Sequence, residues 1–200
     1  NTHGAPLEFP PWSAGRAPWT VMYTIFSLIT GLIGSFLLVR AWCWALALSP
    51  RDPIVAIVWK ATNWLTTPFG YLVRPRGNWD LPTLLATVFV ALVQVWAGRE
   101  LMGYPVSATA FIVAILAMVL RWAADLLIWG TIIYCILSFF ADRWSSRMAL
   151  LGTLLDPVLR PFRRLLPPIK GFDLSPILLF LLLNLAMRFI VPASMGLYVF

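Results

Sequence analysis

Residues 68–81, PFGYLVRPRGNWDL, return 93 positions later (161 − 68) at residues 161–174 as PFRRLLPPIKGFDL. Under this shift Pro68-Phe69 falls on Pro161-Phe162, Pro75 on Pro168 and Asp80-Leu81 on Asp173-Leu174, with no gap. The register continues outward, Leu85 onto Leu178 and Leu92 onto Leu185. Each copy sits between two long apolar stretches. The chain therefore reads as a duplicated two-span membrane unit, and its function must be built from two copies of that unit.

Composition agrees. Hydrophobic residues make up 60% of the 200-residue chain and charged residues 12%, with a mean hydropathy of +0.84; a soluble domain carries about 25% charged residues. Apolar stretches cover roughly Thr20–Leu48, Leu81–Leu101, Val106–Phe140 and Leu174–Phe200. Each exceeds or approaches the ~20 residues that a spanning helix needs. The expected fold is all-α and polytopic: four transmembrane helices in two parallel tandem repeats. Residues 1–19 form a polar, Pro-rich tail without the basic segment and short apolar core of a cleaved signal. Residues 20–105 form the first two-helix repeat and residues 106–200 the second. Cys43 and Cys135 lie inside apolar stretches, do not align under the shift, and read as small packing residues rather than a disulfide.

Basic residues are uneven. Arg51, Lys60, Arg74 and Arg76 separate the first two spans, and Arg143, Arg147, Arg160, Arg163, Arg164 and Lys170 the last two; the opposite side holds Arg16 and Arg99. The positive-inside rule makes both basic segments cytoplasmic and both termini non-cytoplasmic. The two repeats then share one orientation, unlike the inverted repeats of many transporters.

Both basic linkers carry a helical pattern. Trp144, Met148, Leu151, Leu155, Val158, Phe162 and Leu165 recur at spacings of three and four, as do Ile54, Val58, Ala61, Leu65 and Phe69. Asp52-Pro53 and Asp156-Pro157 read as N-caps followed by a first helical proline, and Pro161 predicts a break. Asp80 with Pro82, and Asp173 with Ser175-Pro176, predict caps on the second and fourth spans. Each linker is expected to lie in the interface plane, apolar face down. Arg147, Arg160, Arg163, Arg164 and Lys170 then serve either anionic lipid headgroups, at about 1 kcal/mol each, or docking of a partner.

At these residues the chain resembles the YggT family. The carrying stretch is residues 155–176, LDPVLRPFRRLLPPIKGFDLSP, preceded by Ile136-Leu-Ser-Phe-Phe140. Lys170 stands where the family usually has Gly, and the first repeat keeps only Pro68, Phe69, Pro75, Asp80 and Leu81 of the pattern. The resemblance implies a small inner-membrane protein with chloroplast relatives. It also implies links to osmotic-shock tolerance, cation homeostasis, division-septum proteins, cytochrome maturation and nucleoid organisation. It implies no catalytic residue set.

The residues themselves argue against an enzyme. His3 in the tail is the one histidine, which leaves no His-based metal or haem site in the spans. No Walker, dinucleotide or nucleophile-elbow motif occurs, and no cofactor is expected. The net charge of +7 is confined to membrane-flanking segments, so anionic lipid accounts for it and nucleic acid does not. One intramembrane set invites attention: Gln94, the Arg121–Asp125 pair one turn apart, and Asn184 with Arg188 one turn apart. Ionisable groups at that depth cost ~2.5–3.5 kcal/mol on insertion scales and face a bundle interior. They form either a polar pathway or proton- or ion-sensitive switch, or else a structural ion pair that fixes how the third and fourth helices dock or side chains that snorkel toward an interface. Gly31, Gly34 and Ser35 offer a small-residue face for close packing, within the bundle or in a dimer.

Three function classes follow: a non-enzymatic accessory or assembly protein, an ion-homeostasis or osmotic-stress component with an oligomeric cation pathway, and, least supported, a membrane enzyme. The partners expected are lipids and other integral membrane proteins or a homo-oligomer.

Overall fold

The computed structural model describes residues 17–102, 107–140, 146–165 and 175–195. These form six α-helices: α1 (Ala17–Ala45), α2 (Pro53–Leu72), α3 (Leu81–Met102), α4 (Ala108–Phe140), α5 (Ser146–Leu165) and α6 (Ser175–Ser194). Helices α1, α3, α4 and α6 are long and apolar enough to cross a membrane. The two linker helices have 20 residues each. They start 93 positions apart (146 − 53) and end 93 apart (165 − 72), the same shift that aligns the sequence.

Capping sets the first-half boundaries. Asp52 accepts the Ile54 N–H at 2.9 Å, and Pro53 occupies the first turn, where its missing donor costs nothing. Asp80 caps α3, accepting the Thr83 hydroxyl and the Thr83 N–H. Between α2 and α3 the chain turns through an Arg76–Trp79 bridge, where Gly77 adopts φ +59°, a conformation that favours glycine. Pro176 lies buried in the first turn of α6.

The centre of the bundle is α3, packed against α1, α2 and α4; α6 lies along α4. Leu37 of α1, Ala86, Val90, Ala91 and Val95 of α3, and Ala114, Met118 and Trp122 of α4 make the main core. The small-residue face of α1 is used within the bundle. Trp122 lies over Gly31 and Gly34, and a Cβ at Gly34 would sit inside the Trp122 ring. Two further clusters tie in the linkers. Val55 of α2 and Leu150 of α5 meet at Cys43 of α1, which places both linkers at one end of the bundle. Leu155 and Leu159 of α5 pack on Leu179 of α6. Cys43 and Cys135 form no disulfide.

Three local expectations need correction. Asp156 does not begin a helix: α5 starts a full ten residues earlier and runs through Pro157 and Pro161 to Leu165. A proline inside a helix costs ~3 kcal/mol or more. Here both rings are exposed while Leu155 and Leu159 stay packed, so tertiary burial holds the helix through them. In α2 the buried face is Val55, Val58, Thr62 and Thr66, and Ile54 and Ala61 are exposed. Both threonines bond their hydroxyls to carbonyls one turn back, which lets polar residues occupy an interior face. In α5, Leu165 is exposed.

Candidate functional site

The basic linker α5 carries the most organised charged site. Asp156 accepts the Arg160 Nε at 2.8 Å and the Arg163 Nη1 at 3.0 Å. Helical geometry explains the grouping, since residues four and seven positions on return to the same face. The three side chains border an open pocket of about 600 Å³, whose wall also includes Tyr134 of α4 with Gly152 and Thr153 of α5. Exposed ion pairs contribute only ~0–1 kcal/mol, and Arg160 is 70% exposed. The arrangement therefore does little for stability; it orients two guanidiniums on one carboxylate at the rim of a pocket. Such planar donor forks suit phosphate and carboxylate acceptors. Arg164 lies beside them, exposed, while Phe162 packs into the cluster around Leu159. Arg147 lies in the first turn of α5, its side chain outside the described residues; Lys170, Pro168 and Asp173 also lie outside them.

The first linker is built differently. Arg40, near the end of α1, reaches the Asp80 carboxylate at 3.4 Å and the Thr62 hydroxyl at 3.1 Å. The Thr62 hydroxyl in turn donates to the Val58 carbonyl at 2.7 Å. The Arg40 guanidinium also lies 4.6 Å from the Trp59 ring centroid, and Trp44 stacks on Trp59 at 5.7 Å. Arg40 and Asp80 are both buried. This hub locks α2 onto the junction of α1 and α3, and it escaped the sequence reading. The signal was present: an arginine inside an apolar stretch demands a partner, and two antiparallel helices place the end of one beside the start of the next. Phe69 packs against the main core, 5.7 Å from Phe89, while Pro68 is exposed within α2.

The intramembrane polar residues do not converge. Gln94 is buried and accepts the Thr30 hydroxyl at 2.6 Å, which links α3 to α1. Arg121 and Asp125 are half-buried on α4. Asn184 is exposed and donates to the Phe180 carbonyl of its own helix at 2.8 Å; Arg188 is exposed as well. Among the described residues no hydrogen bond or salt bridge joins these five side chains to one another, and no group of three His, Cys, Asp or Glu could hold a metal ion.

Residues 113–194 match the CCB3/YggT family. The chain is 30% identical over 139 residues to an uncharacterised protein of Pseudomonas aeruginosa, covering 67% of this chain and 70% of the relative. It is 28% identical over 159 residues to the YggT protein of Escherichia coli K12, covering 80% and 83%. A shorter match, 44% over 53 residues, is to a chloroplastic YlmG homologue of Arabidopsis thaliana, covering 26% of this chain and 21% of the relative. No solved structure matches.

Proposed function

This chain belongs to the CCB3/YggT family, and from that membership we propose that it is a non-enzymatic accessory protein of the bacterial inner membrane that helps assemble or stabilise a larger membrane complex. The observation that carries this reading is the α5 site, where Asp156 presents Arg160 and Arg163 at the rim of an open pocket with Arg164 beside them. In the positive-inside orientation this surface faces the cytoplasm and both termini face away from it. Both linker helices then lie along the interface. There the arginines meet anionic headgroups, and the same forks hold acidic groups of neighbouring membrane proteins.

A conducting role asks for a polar face over several turns of some span. The polar span residues instead sit on different helices and different sides, Gln94 inside, Asn184 and Arg188 outside. Replacing Arg160, Arg163 and Arg164 together with Gln separates the two roles. An accessory protein should stay inserted and lose its partner. A cation pathway in reconstituted vesicles should conduct as before, and that result would defeat the proposal.

A further inference from the structure

The most anomalous surface in the molecule is the outer face of α6. Leu179 is buried against α5. Arg188 is nine residues further on (188 − 179), which at ~100° per residue is two and a half turns, so it lies on the opposite side of the helix from that packing. It is exposed there, within an apolar surface of Leu181, Leu185 and Phe189. Asn184, one turn earlier, is exposed beside it.

Depth rules out an easy escape to water. At ~1.5 Å per residue Arg188 lies about 20 Å from the start of α6 and about 9 Å from its end. Helical side chains lean toward the N-terminus. That tendency favours the side toward Asn184, away from the nearer helix end, and snorkelling past that end to headgroups would run against it. Among the described residues the Arg188 side chain has no hydrogen bond or salt bridge, and the side-chain amide oxygen of Asn184 accepts none.

We propose that this face docks a transmembrane helix of another protein that carries a carboxylate at the depth of Arg188. A guanidinium in hydrocarbon calls for a fork-matching anion, and Asn184 adds a neutral partner for a polar group one turn away. A second copy of this chain is a poor match. Among the described residues its span carboxylates are Asp125, half-buried one turn from its own Arg121, and Glu100, exposed but beside Arg99 at the end of its span, about 29 Å from the start of α3 against about 20 Å for Arg188 in α6; Asp80, which caps α3, is buried on Arg40. The surface belongs to a span rather than to a linker, so it stands or falls apart from the α5 reading.

The test places a benzoylphenylalanine photocrosslinker at Leu185 of the full chain in native membranes and maps the adducts by mass spectrometry. The expected adduct is a transmembrane segment with Asp or Glu within one turn of the crosslink. Its yield should fall at least tenfold in Arg188→Leu and recover in part in Arg188→Lys. Should Arg188→Leu fail to insert, Arg188→Gln serves in its place. Adducts confined to lipid or to a second copy, no adduct, or a yield unchanged by loss of the arginine would each overturn the proposal.

Discussion

The Arg40 guanidinium near the end of α1 lies 3.4 Å from the Asp80 carboxylate that caps α3, and both side chains are at most 10% exposed. One carboxylate thus begins a helix and neutralises a buried cation, Arg40, which in turn donates to Thr62 and holds the first linker in place. Removing one partner leaves the other charge buried and unpaired, which costs ~3–5 kcal/mol. Arg40→Leu or Asp80→Asn should therefore strongly lower the thermal unfolding midpoint in detergent. Asn retains capping ability, so the second variant isolates the charge. The double variant should lose less than the sum. A midpoint unmoved by either single change would contradict the hub.

Gly34 and Gly31 differ by what each faces. A Cβ at Gly34 overlaps the Trp122 ring, whereas one at Gly31 would lie 3.6 Å from the Trp122 Nε1, an ordinary contact. Gly→Ala gains up to ~1 kcal/mol of helix propensity, but overpacking costs ~1–3 kcal/mol. Gly31→Ala should be neutral or stabilising. Gly34→Ala should destabilise, and Trp122→Leu should relieve it in a double-mutant cycle. Equal effects at the two glycines would contradict the packing described.

Thr30 and Gln94 cross-link α1 and α3 through a single 2.6 Å bond. Side-chain bonds between spans average ~0.6 kcal/mol and reach ~1.7. Thr30→Val and Gln94→Leu should each destabilise by about that much, and the pair together should be close to additive-minus-one-bond. Independent, fully additive effects in the cycle would show that the bond contributes nothing.

At the α5 site the Asp156 carboxylate competes with any external anion for Arg160 and Arg163. Asp156→Asn should raise the retention of anionic lipid in native mass spectrometry, by roughly fivefold if the gained charge is worth about 1 kcal/mol. Lower retention would contradict this prediction, since the orientation that Asp156 gives the two guanidiniums would then outweigh the negative charge it places beside them.

The global architecture was legible because it rests on signals that a bilayer enforces. Four apolar stretches had to become spanning helices, since hydrocarbon leaves backbone groups no other partner. The linker pattern gave the helices α2 and α5 but misjudged their faces and caps. Proline preference pointed to a start at Asp156, and packing of Leu155 and Leu159 overrode it. The buried threonines of α2 read as polar because their back-bonds cannot be seen in a one-dimensional pattern. The polar residues of the spans were identified but not their directions. Similar depth suggests convergence of Gln94, Arg121, Asp125, Asn184 and Arg188, yet Gln94 is buried against Thr30 of α1 while Asn184 and Arg188 are exposed on α6. Arg40 lies in an apolar stretch and its chemistry demands a partner, but the linear sequence does not bring Asp80, 40 positions away, beside it.

The most direct test of the accessory role is purification of the chain at chromosomal expression level in a mild detergent, with mass spectrometry of everything retained. The account predicts an integral membrane partner at near-stoichiometric yield, lost when Arg160, Arg163 and Arg164 are replaced with Gln. A chain that travels alone or only with its own copies would contradict it.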